Sequence, residues 1–215
     1  MTDKELKQQL TDTVSELYQA GLITGKGGNV SVRSVDHKDA VWITPSRIFK
    51  GGLKSDHMIL VNMEGERLEG EMDPSVESAY HSGIMKLRQE INCVVHTHAP
   101  LATIFGLIDI PMLPITAEAV FIMDFPKLPF FLAGSTELTR LVLENLGQTR
   151  LMGAYLINHG LITMGKDLQK ATELTYTVEF VLKLLFTVRN LNSKPSLLPE
   201  TDVEQLRKIS NSIYG

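Results

Sequence analysis

The hydrophobic pattern changes period between residues 74 and 100, and this change limits the possible folds more than any other stretch. Val76, Tyr80, Ile84, Leu87 and Ile91 recur at helical spacings, which lines them along one face of a helix. Pro74 suits a first helical position, and Asp73 before it can cap the open N–H groups. Past Asn92 a strand begins with Cys93-Val94-Val95 and ends in His96-Thr97-His98. Residues two apart on a strand share a side, so both imidazoles face the same way. Glu77 falls in the first turn of the preceding helix. Two imidazoles with a carboxylate one helix away begin a metal site. A first-turn acid also complements the helix dipole, and an H-x-H pair needs a third ligand before it defines a site.

At 215 residues a single domain spanning 1–215 is expected, with area enough for a substantial core. The net charge of −4 argues against a general nucleic-acid binder. Cys93 is the only cysteine, so no internal disulfide forms, and a reducing, cytoplasmic setting is expected. The charged start, MTDKELKQQL, does not read as a secretory signal. No apolar run approaches a membrane span; the greasiest, 178–186, is short and carries Lys183.

Leu6, Leu10, Val14 and Leu17 predict a first amphipathic helix that stops at Gly21. Gly25-Lys26-Gly27-Gly28-Asn29 then runs into an alternating strand, 30–33, and a second strand, 40–44, ends in Thr44-Pro45-Ser46-Arg47. Such glycines let backbone N–H groups converge on an anion, with Lys26, Asn29, Ser46 and Arg47 as further donors. A plain strand connection is the alternative, and the Walker pattern is absent. A short strand is expected over 58–62, and a helix over 99–107. Prolines 111, 114, 126 and 129 predict extended segments and loops rather than helix over 108–132, with Glu118 a surface acid. Gly134-Ser135-Thr136 starts a helix over 138–146. A buried strand, 154–157, turns at Asn158-His159-Gly160 into another, 161–164. His159 is thus either a hydrogen-bonded turn residue or a third ligand. Asp167 caps a long helix to about Arg189, apolar nearly all round over 178–186, which reads as deep burial or a subunit contact. A final helix carries Val203, Leu206 and Ile209. His81 reads as a helix-packing residue, and His37 and His57 as surface residues.

With GNVSVR, TPS, P-S-x-E, H-T-H and N-H-G in this order, the sequence resembles the class II aldolase/adducin family, with the L-fuculose-1-phosphate aldolase type as the nearest likeness. The resemblance runs from the first helix to the tail. It implies an α/β fold, a three-layer sandwich whose largely antiparallel central sheet is flanked by helices. It also implies a homotetramer with active sites between subunits. By the same resemblance, His96, His98 and His159 are ligands of a divalent metal, usually zinc, with manganese and cobalt as alternatives. Glu77 is the catalytic carboxylate, and Tyr214 matches a tail tyrosine that donates a proton. Gly28, Asn29, Ser46 and Ser75 match positions that hold the substrate phosphate. Three residues depart from the pattern there: Arg47 replaces a glycine, Val76 a second serine, and Lys26 a small hydroxyl residue. Lys26 and Arg47 restore by charge what the lost hydroxyls remove. Ile115 falls about where the aldolase pattern has a tyrosine.

The implied chemistry is cleavage of a ketose 1-phosphate to dihydroxyacetone phosphate and an aldehyde. Breaking a carbon–carbon bond beside a ketone leaves a carbanion, which a metal with open positions stabilises as an enediolate. Glu77 would move the proton at carbon and Tyr214 the proton on the aldehyde oxygen. Two other outcomes share the fold. One is a sugar-phosphate 4-epimerase, dehydratase or 3-oxo-sugar-acid-phosphate decarboxylase; the other is a non-enzymatic binding module like the adducin head.

Overall fold

A computed structural model describes residues 1–213 and leaves Tyr214 and Gly215 outside. The chain runs α1 (Asp3–Gln19), β1 (Asn29–Arg33), β2 (Ala40–Ile43), β3 (Ile59–Asn62), β4 (Arg67–Glu69), α2 (Ser78–Leu87), β5 (Cys93–Thr97) and α3 (Pro100–Leu107). It continues with α4 (Ala117–Ile122), β6 (Lys127–Leu128), α5 (Thr136–Leu146), β7 (Gly153–Leu156), β8 (Gly160–Gly165), α6 (Leu168–Asn190) and α7 (Glu200–Ile213). The strands form one sheet in the order β4-β3-β2-β1-β5-β8-β7-β6. Every neighbouring pair is antiparallel except β6 with β7. Helices surround this mostly antiparallel sheet: α6 packs on β5 and β8, and α2 on β2 and β3.

Why these segments take these forms is largely local. Thr2 caps α1 in a reciprocal box with Glu5, and Leu6, Leu10, Val14 and Leu17 turn inward. Asp167 caps α6 by accepting from the Lys170 N–H. Central strands β2, β5 and β8 are buried on both faces and carry apolar runs, whereas β1, nearly as buried, keeps the alternation Val30-Ser31-Val32-Arg33. In the segment 178–186 the side chains of Val178, Val181, Leu182 and Leu185 are buried, while Phe180 stays 53% exposed.

Two expectations fail, each for a visible reason. Helix α2 begins at Ser78, not at Pro74. The residues before it are drawn into an extended pairing: Ser46 N–H donates to Asp73 O at 2.9 Å, Ser75 N–H donates to Thr44 O at 3.2 Å, and Pro45 bridges Pro74. Asp73 is therefore no cap. Val76 and Leu87 lie off the buried face that Tyr80, Ile84 and Ile91 share. The second failure is α4, a helix inside the proline-rich segment. It fits between Pro114 and Pro126, and Thr116 caps it through the Ala119 N–H. Prolines bound this helix rather than forbid it. The short edge strands β4 and β6 carry too few residues to leave a periodic signal.

Arg33 ties the sheet to α2. Its Nη2 donates to the Met85 carbonyl at 2.7 Å and the Ile91 carbonyl at 3.0 Å, and Nε donates to Asn92 Oδ1 at 2.9 Å. The Met85 contact also places a cation at the helix C-terminus, where the dipole favours it. Replacing Arg33 by Met should cost about 2–3 kcal/mol, because buried acceptors lose a charged donor. Urea unfolding of the two proteins measures this directly.

Candidate active site

Strand register brings the site together. Antiparallel pairing of β1 with β5 sets Asn29 opposite His96. Pairing of β5 with β8 sets Thr97 opposite Leu161 and so carries the preceding turn, with His159, alongside His96. That turn closes with a His159 N–H to Leu156 O hydrogen bond of 3.1 Å, and Asn158 takes a positive φ of 59° within it. Gly160 follows because a Cβ there would collide with the Thr97 carbonyl oxygen.

The three imidazoles His96, His98 and His159 converge, each offering one nitrogen within 4.8 Å of the others. His96 Nδ1 lies 3.1 Å from the Leu161 carbonyl. A carbonyl only accepts, so Nδ1 carries the proton and Nε2 keeps its lone pair, 3.2 Å from His159 Nε2. Burial pushes His96 down to about 4 despite the nearby Glu77 carboxylate, and burial also lowers His98. Both rings are therefore neutral near pH 7, the form in which imidazole binds metals.

Glu77 closes the fourth side. It occupies the N-cap position of α2 but turns its side chain into the site instead of capping the helix, and its N–H donates to Ser75 Oγ at 3.3 Å. Oε2 accepts from Asn29 Nδ2 at 2.7 Å and lies 3.5 Å from His96 Nε2. Oε1 is 3.7 Å from His159 Nε2 and is buried without a hydrogen-bond partner among the described residues. Burial pulls the carboxyl upward, but coupling to His96, which gains charge only in acid, and the Asn29 hydrogen bond outweigh it and hold Glu77 below its ordinary value. An orphaned carboxylate oxygen beside three converging nitrogens is a donor set that fits a divalent cation.

Beside this cluster lies a cavity of about 150 Å³. Gly28, Asn29, Ser46 and Ser75 line it, as do Lys26, Arg47 and Val76, the three residues that depart from the aldolase pattern. The Thr44–Ser75 and Ser46–Asp73 pairings lay the two serine-bearing segments side by side. Arg47 holds φ at 59°, which explains why a glycine suits that position.

Other expectations divide cleanly. His81 is buried, its Nδ1 lies 2.7 Å from Ser31 Oγ, and it stacks on Tyr80, so it packs beneath the site. His37 is exposed, and His57 turns back to cap its own segment. Glu118 is exposed in the first turn of α4. Tyr214 falls outside the described residues. Sequence reasoning missed Lys50, which is buried and lines the cavity. Only its place a few residues past Thr44-Pro45-Ser46 marked it, since lysines are ordinarily exposed.

The family profile for the class II aldolase and adducin N-terminal domain matches residues 8–186, and the chain belongs to that family. Among its relatives is an L-fuculose phosphate aldolase of Methanococcus maripaludis, 32% identical over 81% of this chain and 92% of that one. Another is a 5-deoxy-D-ribulose 1-phosphate aldolase of Bacillus thuringiensis serovar kurstaki, 27% identical over 94% of this chain and 93% of that one. A solved L-fuculose 1-phosphate aldolase superposes with a TM-score of 0.84 at 25% identity, covering 95% of each chain. The relatives named are aldolases, that is, lyases.

Two outcomes test this geometry. A Cβ on Gly27 would fall 2.5 Å from His98 Nδ1. Gly27→Ala should therefore weaken zinc affinity about tenfold or more, the usual cost of disturbing a ligand's support, read by chelator competition. Arg47→Gly should raise stability by about 1 kcal/mol by removing a left-handed non-glycine residue, read from the urea midpoint.

Proposed function

We propose that the chain is a metal-dependent aldolase that cleaves a small ketose 1-phosphate to dihydroxyacetone phosphate and an aldehyde. The observation that carries this reading is the convergence of His96, His98 and His159, with the buried, unpartnered Oε1 of Glu77 3.7 Å from His159 Nε2. A divalent ion held by the three imidazoles, zinc in the first instance, supplies Lewis acidity at the substrate's ketone and neighbouring hydroxyl oxygens.

The protein's own groups do the rest. Asn29 holds Oε2 of Glu77 and leaves Oε1 free: in the condensation direction the ionised carboxylate removes the proton from the substrate carbon, and in cleavage the carboxyl, once protonated, returns it. Burial of the carboxylate keeps bulk water from that proton. Gly28, Asn29, Ser46 and Ser75 hold the phosphate and so fix the reacting carbon near Glu77. Tyr214, by likeness to the aldolase tail, gives a proton to the aldehyde oxygen in condensation and, as the phenolate so formed, takes it back in cleavage. The whole chain acts as one class II aldolase domain. Exposed Ile104, Leu107, Phe130 and Leu132 support assembly with further copies, a homotetramer on the family's pattern.

A second reading keeps the metal and the proton shuttle but changes the product, to a 4-epimerase, dehydratase or decarboxylase of a sugar phosphate. Val76 favours it, because it puts an apolar side chain on the cavity wall where the aldolase pattern has a serine.

Metal content of untagged protein, measured with release of dihydroxyacetone phosphate from fuculose 1-phosphate and ribulose 1-phosphate, separates these readings. The aldolase reading expects about one metal per chain, with metal and cleavage both lost in His96→Ala. Glu77→Gln should fold and lose about 100-fold or more in kcat. Metal without cleavage would favour the second reading. Failure to take up zinc or manganese would leave a binding module.

A further inference from the structure

The anion end of the cavity contains a charge that the family pattern does not account for. Lys50 opens a 3-10 turn, Lys50–Gly52, and is only 2% exposed. Its position is built rather than incidental. The Lys50 N–H donates to the Gly25 carbonyl at 2.8 Å, docking the turn on the glycine loop. Phe49, just before it, packs edge-on against Tyr18 of α1 with ring centroids 5.3 Å apart.

The side chain lines the same cavity as Gly28, Asn29, Ser46 and Ser75. Among the described residues its ammonium has one hydrogen-bond acceptor, the Pro45 carbonyl at 2.7 Å, and no carboxylate partner. An ammonium has three N–H groups, so donors remain. A buried, unpaired ammonium is costly unless something anionic completes it. Lys26 and Arg47 add two exposed cations at the same cavity.

We infer that Lys50 is a specificity-determining residue of this site: its ammonium binds the substrate's terminal phosphate from the buried side and makes the cavity select a dianion over a carboxylate or an uncharged hydroxymethyl group. This rests on the phosphorylated-ketose reading above. The Pro45 carbonyl aims the ammonium, and the docked turn holds it in place. Lys26 and Arg47 draw the anion in from solvent, where their contribution is screened.

The same geometry makes the selection pH-dependent. Burial holds Lys50 down to about 8. The other charged or titratable groups lining the cavity are Lys26, Arg47, Glu77, His98 and His159. Below about 8 the ammonium is charged and complements the phosphate; as pH rises through that value the free protein loses the charge, and affinity falls.

Calorimetric binding of glycerol 3-phosphate to the metal-loaded protein tests this, since that monoester is already a dianion above about pH 7. Lys50→Gln keeps a donor for Pro45 but loses the charge. It should weaken binding about tenfold or more, the size of one charged hydrogen bond. Lys50→Arg should retain most of the affinity. The unmodified protein should lose affinity between about pH 8 and 9.5, and Lys50→Arg should not, because guanidinium stays charged. Equal affinity in Lys50→Gln and the unmodified protein would overturn the inference, leaving Lys50 a tether for Pro45. So would the same loss with pH in Lys50→Arg, and this comparison decides the matter if Lys50→Gln does not fold. If the unmodified protein binds no glycerol 3-phosphate yet cleaves an unphosphorylated ketose, the phosphate reading itself is wrong and the inference falls with it.

Discussion

A carboxylate buried among imidazoles is the constraint on which the rest of the site depends. Glu77 is 3% exposed, and isolated charge at that depth is strongly unfavourable. One oxygen is satisfied by Asn29; the other faces His159 without a hydrogen bond. That arrangement calls for positive charge nearby, and a metal ion held by the three imidazoles would supply it. The Asn29–Glu77 bond in turn requires the β1–β5 register. A slip by one residue would turn Asn29 to the other face of the sheet. Sheet pairing, carboxylate orientation and cation binding are therefore one coupled arrangement.

The opposite end of the site shows the same economy with opposite charge. The glycine loop, the Thr44–Arg47 segment and the Asp73–Ser75 segment meet through backbone pairings, leaving hydroxyls and cations around a small cavity. Arg47 accepts a left-handed backbone to stay there, and Lys50 accepts burial. Both choices carry a folding cost that a bound anion would offset, a common compromise at functional sites. Negative Glu77 with its imidazoles and the three cations Lys26, Arg47 and Lys50 give the site a polarity that would orient a substrate with a phosphate on one terminus.

Much of this was legible in the sequence because its signals are local. The change of period around Asn92, the i, i+2 spacing of His96 and His98, and the caps at Asp167 and Ser135 each depend on neighbouring residues only. His159 was visible as a histidine at a strand turn, but its meeting with His96 depends on β5–β8 register, which no local spacing reveals. The start of α2 was misplaced because tertiary pairing of Asp73–Ser75 overrode a proline and a capping residue that would otherwise begin a helix. Helix α4 was missed because prolines at a helix's boundaries look the same in sequence as prolines that break one. Lys50 was marked only by its place a few residues past Thr44-Pro45-Ser46, since nothing in its neighbours announces that an ammonium will be buried.

We propose that three imidazoles of this one chain hold a metal ion, with Glu77 facing it. X-ray absorption at the zinc edge of the loaded protein tests that most directly. About three imidazole nitrogens are expected near 2.0–2.1 Å, the ordinary zinc–histidine distance, and one fewer in His159→Ala. A zinc shell without imidazole scattering, or one unchanged by loss of His159, would contradict it.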